Sequence, residues 1–62
     1  MTGLFDDAVP LADMIADVRR ELAMRERVYP RWVAAKKMSP STADRQIAAM
    51  RAVLANLEAQ QP

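Results

Sequence analysis

Three arginines, a proline, and the chain's single Tyr and single Trp fall within nine residues, Arg25-Glu26-Arg27-Val28-Tyr29-Pro30-Arg31-Trp32-Val33. These side chains recognise rather than transform. A guanidinium pairs with carboxylates and phosphates through a planar fork, and Trp, Tyr and Arg dominate the hot spots of protein interfaces. Arg27, Tyr29, Arg31 and Trp32, with Lys36 and Lys37 beyond them, are therefore the candidate partner-binding residues. Bond-making chemistry is poorly supplied. With no His and no Cys, a general base must be a carboxylate or Lys, and a nucleophilic Ser lacks its usual partner. Ser39, Ser41 and Thr42 read better as helix caps, and a non-enzymatic protein is expected.

Asp13, Asp17 and Glu21 form an acidic ridge at helical spacing. Two or three carboxylates on one exposed helix make at best a weak site for a hard cation, so a solvated face is the plainer reading and no metal is assigned. A single glycine, Gly3, rules out the glycine-rich phosphate loops, and no cofactor or small-molecule substrate is expected. The net charge of +1 conceals a division: residues 1–18 carry four acids and no base, whereas 19–51 carry nine bases against Glu21, Glu26 and Asp44. That excess attracts phosphate or an acidic protein surface, although Lys and Arg also simply solvate helix faces. No helix-turn-helix, zinc-finger or RNP-like pattern accompanies it, so sequence-specific base reading is not expected.

These side chains need helices to position them. Leu11, Ile15, Val18, Leu22, Tyr29 and Trp32 fall at helical spacing, interrupted only by Arg25, which predicts one amphipathic helix from about Val9 to Met38. Asp6 or Asp7 caps its start, Pro10 suits its first turn, and Lys36 and Lys37 complement its C-terminal end. Pro30 removes the amide that would bond the Glu26 carbonyl. A restart would make Tyr29 a poor cap, so a kinked continuous helix is favoured over two pieces. Ser39 caps a second helix with Pro40 in its first position, and Ala43, Ile47, Met50, Leu54 and Leu57 form its stripe, ending by about Ala59.

So short a link makes the helices antiparallel neighbours. The expected fold is all-α: a single-domain helical hairpin over residues 1–62, with 1–8 and 60–62 flexible. Trp32 is placed in the core near Ala43 and Ile47, while Tyr29, whose hydroxyl wants a polar neighbour, is the better partner anchor. Glu21 and Arg25 stand as a favourable i, i+4 pair; Arg25 alternatively crosses to Glu58 or to a partner. Leu57 reaches back toward Val18 or Leu22, leaving Leu11, Met14 and Ile15 uncovered. A homodimer closing a four-helix bundle would bury them, because a chain of 62 residues without disulfide or metal has little core of its own. No apolar run approaches the roughly 18 residues of a membrane span, and residues 1–9 lack a basic and apolar leader, so a soluble, cytoplasmic protein is expected.

The run Arg27-Val28-Tyr29-Pro30-Arg31-Trp32-Val33, then Met38-Ser39, then Ala43 to Ile47 and Met50, resembles small open reading frames of proteobacterial phages and prophages that share a Val-Tyr-Pro-x-Trp-Val element. The resemblance covers roughly Glu21 to Leu57. It implies an accessory role near phage replication or recombination and carries no catalytic residue. Where relatives have Gly after the Ala pair this chain has Lys36, which favours helix through to Met38. The functional expectation is an interaction module that binds and modulates a host or phage protein. The alternative is a non-specific nucleic-acid-binding accessory using the same arginines with Lys36 or Lys37, and a purely structural self-associating subunit is a third reading.

Overall fold

The computed structural model describes residues 9–62, which form two helices, α1 (Leu11–Ala34) and α2 (Pro40–Glu58), packed as a hairpin. The expected caps at Asp6 or Asp7, and the expected flexibility of 1–8, lie outside the described residues. At the described start, Pro10 is the cap rather than a first-turn residue: its extended backbone lets its carbonyl accept from the Asp13 and Met14 amides at 3.0 and 3.1 Å. α1 runs unbroken through Pro30, so the two-piece alternative falls. Residues 23–29, which precede the proline, include no capping type, and a restart there would leave amides unsatisfied.

Helix α1 ends four residues before the expected Met38. Lys36 takes a left-handed backbone, φ 61°, and closes a Schellman motif: its amide donates to Val33 O at 3.0 Å and the Lys37 amide to Trp32 O at 2.8 Å. The position that glycine normally fills is therefore needed here as a turn, and Lys36 does not extend the helix. A Cβ in this region costs roughly 1–2 kcal/mol. Lys36→Gly is accordingly expected to stabilise the hairpin by about 1 kcal/mol, a Tm gain of about 4–8 °C by calorimetry in a domain this size.

The second helix starts as its sequence dictates. The Ser39 hydroxyl accepts from the Thr42 amide at 3.2 Å, with Pro40 at the first helical position. Ser39→Ala should lower stability by about 1 kcal/mol in the same melt, the usual loss of an N-cap.

Pairings between the helices fix an antiparallel register. Descending α1 from Tyr29 to Glu26 to Arg19 ascends α2 from Gln46 to Arg51 to Glu58. Residues 11–17 thus project past the end of α2. Within that overhang Leu11 is half-buried and Met14 exposed, as expected for an uncovered end, whereas Ile15 is only 2% exposed. Ile15, expected among the uncovered residues, is therefore covered, and it continues the Tyr29–Leu22 line at seven-residue spacing. Ile15, Tyr29 and Ala43 are the buried apolar residues among those described; the rest of both stripes is less completely covered. Two helices form one layer, and one layer cannot enclose a core. No described helix is long and apolar enough to cross a membrane.

Candidate interaction surface

Tyr29 and Trp32 exchange their expected places. Tyr29 is 7% exposed, and its hydroxyl donates to Gln46 Oε1 at 3.1 Å. The polar neighbour that made it a candidate anchor is supplied within the hairpin. Trp32, three residues on and therefore rotated about 60° from Tyr29 around the helix, misses the axis and remains 41% exposed. The position near Ala43 and Ile47 expected for Trp32 belongs to Tyr29 and Val33, which share a groove with them. The two rings stack, centroids 5.6 Å apart at 26°, so a buried tyrosine holds an exposed tryptophan in place.

Arg25 completes this ladder from the other side. Its guanidinium lies 5.9 Å from the Tyr29 centroid, its Nε donates to Glu21 at 2.9 Å, and an NH group donates to the Gln46 carbonyl at 3.2 Å. The expected Glu21 pair is present, and Arg25 also crosses to α2, though to a backbone carbonyl. Glu58, its alternative partner, is taken by Arg19 at 2.6 Å. Gln46 carries no signal in the sequence: a lone glutamine acquires a role only when the register sets it against Tyr29 and Arg25.

The six candidate residues do not converge on one patch. Arg27 and Arg31 each lie two residues from Tyr29, about 200° around α1, so both project from the back of the helix, away from α2. Lys36 and Lys37 sit in the turn, and Arg45 stands on the back of α2, two residues past buried Ala43. These five cations have no ion pair among the described residues, whereas Arg19, Arg20, Arg25 and Arg51 pair with Glu58, Asp17, Glu21 and Glu26. Asp17 and Glu21 of the acidic ridge are thereby taken up by arginines, and no cluster of three metal-ligating side chains forms among the described residues.

The more coherent concavity is one the sequence does not announce. An open groove of about 350 Å³ runs between the helices near the turn, lined by Tyr29, Pro30, Val33, Ala34, Pro40, Ala43, Asp44 and Ile47. It is apolar apart from the Asp44 carboxylate. Val33 and Pro40 also line a second hollow of about 430 Å³ containing Lys36, Lys37, Met38 and Ser39, so the two lysines stand in a hollow that adjoins the groove. The proline ring contributes here because it replaces an amide with apolar surface on the groove side.

No family model, curated protein or solved structure matches the chain.

Proposed function

We propose that this chain is a non-enzymatic interaction module, of the phage or prophage accessory type, that self-associates and uses the groove at its turn to bind and modulate a host or phage protein. The observation that carries the reading is the apolar groove over Pro30, Val33, Ala34, Ala43 and Ile47, with Lys36 and Lys37 in the hollow that adjoins it. Small apolar pockets next to cations suit a helix or strand bearing apolar anchors and carboxylates, the anchors supplying burial and the charges orientation. A cytoplasmic site of action belongs to the same proposal.

The test is capture from host lysate on a tagged chain, with and without nuclease, at low and high salt. One protein retained after both treatments supports the module. Ala34→Arg is the control, because a long charged side chain in a good helical position obstructs the groove and leaves the helix intact; retention should fall at least about tenfold.

The nucleic-acid alternative draws on the five cations that have no ion pair among the described residues. It predicts nuclease-sensitive capture and a log–log salt slope that falls by roughly 0.7–0.9 for each phosphate-binding arginine removed, as in Arg27→Ala or Arg31→Ala. Their dispersal over the backs of both helices and the turn favours the protein partner.

A further inference from the structure

The two broad faces of the hairpin differ in chemistry. The ion pairs that bridge the helices, Arg19 with Glu58 and Glu26 with Arg51, both at 2.6 Å, lie on the side that carries the groove. On the other side α1 sets out Met14, Val18, Glu21, Arg25, Val28 and Trp32 at intervals of four, three, four, three and four residues, a single stripe with the spacing of a coiled-coil seam. Val53 of α2, seven residues beyond the Gln46 that binds Arg25, shares this side. Met14, Trp32 and Val53 are three of the four large apolar side chains that the hairpin leaves exposed among the described residues.

This stripe of two apolar residues, an acid, a base and two apolar residues is complementary to its own reverse, which sets base against acid and apolar against apolar. Reversed about the level of Ala23 onto a second copy, Met14 meets Trp32, Val18 meets Val28 and Glu21 meets Arg25, and symmetry repeats each pairing. A two-fold interface requires this self-complementarity.

We infer that two copies of this chain pack antiparallel through this stripe, with their Glu21 and Arg25 side chains closing a four-membered charge ring at the two-fold axis. The inference rests on the self-association proposed above and adds its face, orientation and register. The Glu21–Arg25 pair already formed within one chain at 2.9 Å supplies half of that ring. Trp32 is a prearranged anchor because Tyr29 stacks on it, which limits the ordering lost on binding. Its counterpart in this register is Met14, which is itself exposed.

The groove side remains outward on both copies, free for the proposed target.

The experiment is sedimentation equilibrium of the full chain over the micromolar range, read together with emission from its one tryptophan. A doubled mass should appear with rising concentration, accompanied by a blue shift as Trp32 leaves water. Glu21→Arg, which sets like charges together at the axis, should weaken the dimer at least about tenfold while circular dichroism keeps its helicity. Should that variant lose its helices, orientation decides: Val18→Cys/Val28→Cys should oxidise to a cross-linked dimer, and Val18→Cys alone should not, because an antiparallel register separates the two copies of that position by about 15 Å. A dimer with unshifted Trp32 emission, or one indifferent to Glu21→Arg, overturns this interface and leaves self-association standing. A monomer throughout overturns both.

Discussion

Tyr29→Ala is expected to leave the hairpin largely unfolded at room temperature. A chain of 62 residues has only about 3–9 kcal/mol of stability in total, and removing a buried aromatic ring costs about 3–5 kcal/mol. Tyr29 ties the two helices together. It is one of the buried apolar residues among those described, it donates to Gln46, it stacks on Trp32, and Arg25 lies over its ring. Urea denaturation followed by far-ultraviolet circular dichroism checks the loss. Tyr29→Phe separates the contributions: it keeps the ring and both stacking partners and removes only the bond to an exposed glutamine, so it should cost about 1 kcal/mol or less. Equal losses for both variants would mean that the hydroxyl, rather than ring burial, holds the helices together.

Pro30→Ala should raise stability and lower binding. Proline within a helix is about 3 kcal/mol worse than alanine, because the Glu26 carbonyl loses its donor and the ring crowds the preceding turn. Part of that gain is offset, since proline also restricts the unfolded chain by about 0.4–1 kcal/mol. A net stabilisation of about 2 kcal/mol is expected. The proline ring lines the groove between Tyr29 and Ala34, so the more stable variant should retain less partner. Stabilisation with unchanged retention would remove Pro30 from the binding surface and leave it as an unexplained local penalty.

Features governed by local rules are legible in the residues. Ser39 and Pro40 announce the start of α2 because capping depends on a hydroxyl and a fixed φ within one turn, and the apolar spacing reveals both helices and their antiparallel arrangement. Lys36 misleads because propensity speaks for lysine in a helix, whereas the tight reversal between Ala35 and Ser39 imposes a left-handed residue whatever its type. The aromatic exchange has a similar origin. Tyr29 and Trp32 both fit one stripe, and only the pairing of Tyr29 with Gln46 fixes which of them faces the axis. The groove has no sequence signature, since Pro30, Ala34, Asp44 and Ile47 come from two helices and acquire a common meaning only through the register. Arg27 and Arg31 stay together on the back of α1 but part from Arg25 and Tyr29, because residues two apart on a helix point to opposite sides.

The most direct test of the interaction account is an amide chemical-shift map of the isotopically labelled chain titrated with the protein it captures. The account predicts perturbations concentrated at Val33, Ala34, Ala43, Asp44 and Ile47, around the groove and the adjoining hollow. Perturbations confined to Arg27, Arg31 and Arg45, with the groove amides unmoved, would contradict it.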